Sequence, residues 1–246
     1  MKTPLMGRRV LVTRAAEDAG EWAEQLERHG ARPVLLPCLV SVPLTDSGTT
    51  ASLRAALADA DWLLVMSRRG VQSVADLIGK AFPEKMRVAA VGPATARAAA
   101  DRWGCVDMVA TTPTSEGLAT DLTTLVDTTS DGPSPHAVIA GAVDGRRDAE
   151  IILTSCGWRV TFVPVYQTLA APVSADRLDL RASAVDDILL ASPSAVLGLL
   201  NRTVHPCTAR IFTIGPTTTA AARAAGLVVA AEARRPGLDG MLEVMQ

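Results

Sequence analysis

The sequence predicts an α/β fold of two similar domains, each a parallel sheet flanked by helices, joined by a two-stranded crossing ladder. Three observations predict it. Short apolar runs of strand length alternate with longer amphipathic runs along all 246 residues. The alternation then repeats: Pro37 and Pro164 stand 127 apart, Ser67 and Ser192 125, Gly92 and Gly215 123, and Gly117 and Gly237 120. A smoothly falling offset is what a duplicated unit with small deletions leaves, whereas chance matches scatter. Finally, RPVLLPCLVSVP at 32–43 and WRVTFVPVYQTLAAP at 158–172 read as one strand written twice, each after a helix closed by glycine and each with proline at the same place.

Taken in order, 10–13 is a short apolar strand and 19–29 an amphipathic helix, with Trp22, Ala23 and Leu26 at helical spacing and Gly30 as C-cap. The first matched strand follows, then a polar loop over 45–50 and a helix over 53–58. DWLLVM at 61–66 is a buried strand, after which Ser67-Arg68-Arg69-Gly70 opens a helix to 78. Strand 87–91 ends at Gly92-Pro93 before a helix over 94–103, and strand 105–110 leads through 111–115 into a helix over 116–126. DTTSDGPSP at 127–135 contains no apolar side chain and reads as linker.

The series then restarts. Strand 137–140, a helix over 147–155 closed by Gly157, and the second matched strand come first. Strand 187–191 ends at Ser192-Pro193-Ser194 before a helix over 195–200, and strand 210–214 ends at Gly215-Pro216 before a helix over 217–225. Strand 227–231 and a last helix opened by Pro236-Gly237 complete the chain. With both matched strands changing domain, one domain holds 1–37 and 168–246 and the other, inserted, holds 38–167. Two adjacent crossing strands would act as a hinge over a ligand. Tyr166, the only tyrosine, lies on the second of them, where the chain passes over the cleft. A simple cut at Pro133 leaves the matched strands unexplained.

A formal charge of −2 gives no excess of positive charge for nucleic acid or an anionic membrane. Lysine occurs only at positions 2, 80 and 85, so the cations are nearly all arginines, which fork onto carboxylates. The four cysteines and three histidines are scattered without a CxxC pair, so no metal site is expected, and the cysteines suit a reducing compartment. The start of the chain lacks the apolar run of a signal peptide, and no apolar run approaches the roughly 20 residues of a membrane span. A soluble, cytoplasmic protein is expected.

Ligands of open parallel sheets bind outside the carboxyl ends of the strands. Here those ends read Thr13-Arg14, Ser67-Arg68, Gly92-Pro93, 112–115, Gly141, Ser192-Pro193-Ser194 and 215–218. Such Gly, Ser and Thr turns at the start of helices leave backbone N–H groups free for carboxylates or phosphates. Taken singly, Ser67, Ser115, Ser192 and Thr217 are plain N-caps; their place on the facing edges of two domains makes them binding candidates. No GxGxxG, GxxxxGK[ST] or GxSxG is present, no histidine neighbours an activatable Ser or Cys, and DGRRD at 144–148 reads as a solvated loop. The expected chemistry uses no cofactor, metal or covalent nucleophile. A phenol keeps its proton at neutral pH and can serve as a weak general acid, which singles out Tyr166.

VLVTR at 10–14, VGPATARAAA at 91–100, SEGLA at 115–119, VPVYQT at 163–168, ASPSAV at 191–196 and IGPTTTAAARAAG at 214–226 resemble, in order and spacing, the uroporphyrinogen-III synthase family. The resemblance implies two α/β domains joined by a two-stranded ladder. It also implies cofactor-independent lyase activity in porphyrin and heme biosynthesis. In that reaction hydroxymethylbilane, a linear tetrapyrrole lined with carboxylates, closes to uroporphyrinogen III with inversion of ring D and loss of water. A pyrrole nitrogen expels the hydroxyl to give an azafulvene, the substituted carbon of the last ring attacks to give a spiro intermediate, and this fragments and recloses. By the same resemblance Tyr166 assists hydroxyl departure, and Ser67, Ser192, Thr217 and Thr218 contact substrate. Gly92, Ser115, Gly141 and Gly215 line the site, the first, second and fourth offering N–H groups, and Arg14 meets a carboxylate. A monomer in transient contact with the preceding pathway enzyme is implied as well. Two departures stand out: Arg68-Arg69 where members often carry Asn, and Ala140 where they often carry Arg. The alternative is a non-catalytic protein of this fold that binds or senses a tetrapyrrole or another small anion.

Overall fold

In a computed structural model of the chain, residues 5–79, 82–83, 85–126, 133–204 and 208–245 are described; most of the expected linker lies outside them. The chain opens with Arg9–Val12 (β1) and Ala16–Arg28 (α1), which buries Ala19, Trp22 and Leu26 along one stripe. Gly30, at φ +81°, turns it into Arg32–Leu35 (β2). Leu39–Pro43 (β3), Ser47–Leu57 (α2), Trp62–Val65 (β4), Arg68–Ile78 (α3), Arg87–Ala90 (β5), Pro93–Trp103 (α4), Met108–Val109 (β6) and Ser115–Leu125 (α5) follow. Next come His136–Ala142 (β7), Asp148–Ser155 (α6), Arg159–Ala170 (β8), Leu178–Asp179 (β9), Asp187–Leu190 (β10), Pro193–Arg202 (α7) and Thr203–Val204 (β11). Arg210–Thr213 (β12), Pro216–Ala224 (α8), Val229–Glu232 (β13) and Leu238–Val244 (α9) end the series.

The chain divides into two compact units, Met1–Ser41 with Thr168–Gln246, and Val42–Gln167. The first has a parallel sheet in the order β13-β12-β10-β1-β2, and β9 and β11 form a small parallel pair that the sequence pattern does not announce. The second has the order β3-β8-β7-β4-β5-β6, parallel from β8 to β6. Matched by the repeat offset, β2-β1-β10-β12-β13 and β8-β7-β4-β5-β6 are one topology. The cores match too: α1 and α9 pack on one face of the first sheet and α7 and α8 on the other, as α6 and α5, and α3 and α4, do in the second. Sheets covered on both faces need continuous apolar central strands, which WLLV of β4 supplies without interruption.

The duplication extends to single hydrogen bonds. Asp61 Oδ2 accepts from the His136 N–H at 2.8 Å, and Asp186 Oδ2 from the Arg9 N–H at 2.7 Å, tying the start of each central strand to its neighbour. One residue further the copies part. Arg87 stacks 4.4 Å above the Trp62 ring, whereas its counterpart Arg210 places Nε 2.9 Å from the buried carboxylate of Asp187, which also pairs with Arg8 at 2.7 Å.

Several expectations are corrected. The partner of Gly117 is Gly240, not Gly237: a Cβ on either would lie 2.3 or 2.0 Å from the carbonyl oxygen five residues earlier, of Thr112 or Arg235. The polar run at 45–50 is mostly helix, because Asp46 caps α2 by accepting from the Thr49 N–H at 2.9 Å. The first matched strand is two strands, since Pro37 has no N–H to give the ladder. The passage between units falls at Ser41/Val42, beyond Pro37, because the Leu36 and Cys38 N–H groups still bond to Val12 and Thr13 of the first unit, at 3.1 and 3.2 Å. Pro164 does not break β8. It introduces a bulge, with Gly141 opposite Pro164 but Ala142 opposite Tyr166.

Candidate functional site

The bulge decides where the phenol goes. Alternation along a strand would send Tyr166 to the face opposite Val163 and Val165, but the extra residue brings it into the same core as both, on the side covered by α3. The ring is buried, 7% exposed, and its hydroxyl lies 3.2 Å from Ser67 Oγ. Ser67 follows β4 and caps α3, accepting from the Gly70 N–H at 3.0 Å. Between β4 and β8 runs β7, and Gly70 seats α3 closely against it: a Cβ on Gly70 would stand 3.2 Å from the carbonyl oxygen of the fully buried Ala140. Arg69, the second residue of α3, holds its guanidinium 5.4 Å from the centre of the Tyr166 ring. Arg68 and Arg69 stand in the first turn of α3, where cations oppose the helix dipole.

The rest of the second unit's rim is helix N-termini and close packing. Gly92 caps α4 with extended backbone ahead of Pro93, and a Cβ there would meet Pro113 at 3.2 Å. Ser115 is not a cap: Thr114 Oγ1 takes the Gly117 N–H at 3.0 Å, and Ser115 Oγ donates to Glu116 Oε2 at 3.1 Å. Gly141 is required by Phe162, whose ring lies 2.8 Å from where a Cβ would be. One face of that ring carries the Arg147 guanidinium at 3.5 Å, while Asp144, Arg146 and Arg147 are exposed, as a solvated loop requires. Arg146 pairs there with Asp148 and Glu116 at 2.7 and 2.8 Å.

The remaining candidates lie on the first unit's own rim. Ser192 caps α7, accepting from the Ala195 N–H at 3.1 Å with the same backbone angles as Ser67. Gly215 caps α8 in extended backbone with open space around it. Thr217 is exposed and is not the cap, and Thr218 turns into the core, 1% exposed. Arg14 lies 4.9 Å over Trp22 and 3.5 Å from Asp18. Thr219, which the sequence did not single out, joins Thr213 at 2.6 Å and Glu232 at 2.5 Å beneath this rim.

The opposite, amino edge of the second unit holds a buried His136 whose Nε2 is 2.9 Å from Thr161 Oγ1 and whose Nδ1 is 3.3 Å from the Asp59 carbonyl oxygen. The hydrogen bond from Arg159 holds Asp59 below its ordinary carboxylate range. A cavity of about 410 Å³ lined by Phe82, Met86, Arg102, Trp103 and Cys105 opens beside the start of β5 and contains none of the candidates. Among the described residues no His, Cys, Asp and Glu cluster could hold a metal ion, and no helix is long and apolar enough to cross a membrane.

The family model described as Uroporphyrinogen-III synthase HemD matches residues 20–243. The chain is 28% identical over 173 residues to the porphyrin biosynthesis protein HemD of Ruminiclostridium josui, covering 68% of this chain and 33% of that protein. It is 32% identical over 110 residues to the uroporphyrinogen-III synthase of Synechococcus elongatus, covering 43% and 42%. It therefore spans about a third and about two fifths of these curated relatives. Among solved structures, a mutant uroporphyrinogen III synthase of Thermus thermophilus aligns over 98% of this chain and 96% of its own, with a TM-score of 0.53 and 18% identity. The uroporphyrinogen-III synthetase of Helicobacter pylori aligns over 97% and 98%, with a TM-score of 0.51 and 14% identity. At such identities the likeness is one of fold.

Proposed function

The chain belongs to the uroporphyrinogen-III synthase HemD family, and from that membership we propose that it cyclises hydroxymethylbilane to uroporphyrinogen III, inverting ring D and releasing water. The observation that carries the reading is the phenol of Tyr166, set by the β8 bulge at the carboxyl rim beside the N-terminus of α3. The substrate supplies its own electronic push: as the pyrrole nitrogen expels the hydroxyl, the C–O bond breaks and the leaving oxygen needs a proton. Tyr166 provides it, water departs, and the proton lost when the last ring regains aromaticity restores the phenol. The N–H groups opening α3, α4 and α5 of the second unit suit the substrate's carboxylates, and the first unit carries a like set at α7 and α8, with Arg14 near its own rim. Holding the chain with its last ring oriented for attack through the substituted carbon makes the inverted product win over simple closure. We place the working protein in the cytoplasm as a monomer.

The test is incubation with enzymatically generated hydroxymethylbilane and separation of product isomers. Isomer III is expected, and the uninverted isomer I alone would remove the reading, leaving a non-catalytic binder. Tyr166→Phe is expected to lower turnover by at least about tenfold while costing only about 1 kcal/mol of stability, the worth of one hydrogen bond. Equal losses in both would make Tyr166 a core residue only.

A further inference from the structure

The bond between Ser67 and Tyr166 has a direction. Among the described residues Ser67 Oγ has two partners, the Gly70 N–H at 3.0 Å and Tyr166 Oη at 3.2 Å. A hydroxyl offers one hydrogen and two lone pairs, and Gly70 occupies a lone pair. Either hydroxyl can donate in this pair, and each direction leaves one hydrogen over, the serine's if the phenol donates and the phenol's if Ser67 does. The helix field favours Ser67 as the donor: the first turn of α3 is the positive end of a dipole, so the phenol hydrogen is better placed pointing away from the helix, with an oxygen lone pair towards it.

We propose that Ser67 is a positioning residue: it donates its hydroxyl hydrogen to Tyr166 and thereby points the phenol proton away from α3, where a leaving group can take it. The role deepens the proposed cyclisation and rests on it. Ser67 itself need not touch substrate, since its hydroxyl is spoken for. Its repeat counterpart Ser192 makes the same cap, but the position answering Tyr166 is Leu39, so the relay exists once.

Three variants separate relay from cap. Ser67→Thr keeps both functions, Ser67→Ala removes both, and Ser67→Asp keeps the cap on Gly70 but can only accept, which forces the phenol to donate inward. Because the chain has one tyrosine, the tyrosine Fermi doublet in the ultraviolet resonance Raman spectrum reads this bond alone. The acceptor signature is expected in the wild type and Ser67→Thr, its loss in Ser67→Ala, and the donor signature in Ser67→Asp. Turnover of hydroxymethylbilane is expected to fall about 10- to 100-fold in the Ala and Asp variants with KM little changed, and to survive in Thr. A donor signature in the wild type, or an Asp variant as active as Thr, overturns the proposal. A wild type that makes no isomer III removes the cyclase reading instead, and the Raman signatures still decide the bond.

Discussion

Replacing glycine by alanine inside a helix normally stabilises it by about 1 kcal/mol, so Gly198→Ala in α7 tests whether packing outweighs propensity. A Cβ on Gly198 would lie 1.8 Å from the Cys38 carbonyl oxygen and 2.7 Å from its carbon. Reaching ordinary contact, which starts at 3.4 Å, means parting helix and chain by about 1.6 Å. The neighbours cannot give cheaply: Cys38 is fully buried among Leu36, Leu190, Val196 and Leu199, and its carbonyl accepts from the Ala171 N–H at 2.8 Å. Overpacking costs about 1–3 kcal/mol or more, and a weakened hydrogen bond about 1, against about 1 gained, so a net loss of about 1–3 kcal/mol or more is expected. Gly20 in α1 is the control, being exposed with nothing within 4 Å of its Cβ position, and Gly20→Ala should gain about 0.5–1 kcal/mol. Urea unfolding followed by circular dichroism reads both. Equal gains in the two variants would refute the seating of α7 on Cys38.

Burial pushes the Cys38 thiol from an ordinary 9.0 up to about 12, with Arg202 opposing part of the rise. The folded chain therefore keeps the thiol neutral where the unfolded chain ionises it, so this contribution is intact below pH 9.0 and is lost as pH rises towards about 12. Measured by unfolding at stepped pH, the wild type should lose about 1.4 kcal/mol per pH unit relative to Cys38→Ala across that window; parallel curves would contradict it. Asp187→Ala strands Arg8 and Arg210 around a fully buried position and should cost about 3 kcal/mol, whereas Asp59→Ala, in an exposed pair with Arg159, should cost under about 1. Similar unfolding midpoints for these two variants would count against the clamp.

The repeat was legible because it is written in residues with strong local demands. Pro37 and Pro164, Ser67 and Ser192, Gly92 and Gly215 each fix a bend or a helix start, and those positions hold in both sheets. What the offsets could not give is how each copy resolves the same demand. Proline interrupts a ladder, but whether the chain breaks, as between β2 and β3, or bulges, as in β8, depends on the neighbouring strand and on what α7 and α3 press against it. For the same reason Tyr166 and Ser67 could each be named from the sequence but not joined, since the bulge that turns the phenol to the face covered by α3 is not written in the offsets. The displaced pairing of Gly117 shows the converse: glycines near one another in sequence are distinguished only by the carbonyl each must admit.

Duplication followed by divergence at a few positions accounts for the division of labour that the proposed reaction needs. A substrate lined with carboxylates calls for many anion-binding sites, and helix N-termini, fixed by backbone and cap alone, are what both copies retain. One hydroxyl leaves per cyclisation, so a single proton donor suffices. In the proposed reaction the second copy supplies it, with the phenol at 166, alanine at 140 and a bulge at 165. The first has Leu39, which leaves into β3, and Thr13, whose hydroxyl is turned inward to the Leu189 carbonyl at 2.6 Å. Leu39 follows the break between β2 and β3 and packs against the first unit's apolar core, so the first copy has no phenol at the matching position. Binding can be doubled by copying a scaffold, but an oriented proton depends on register, and register differs between the copies.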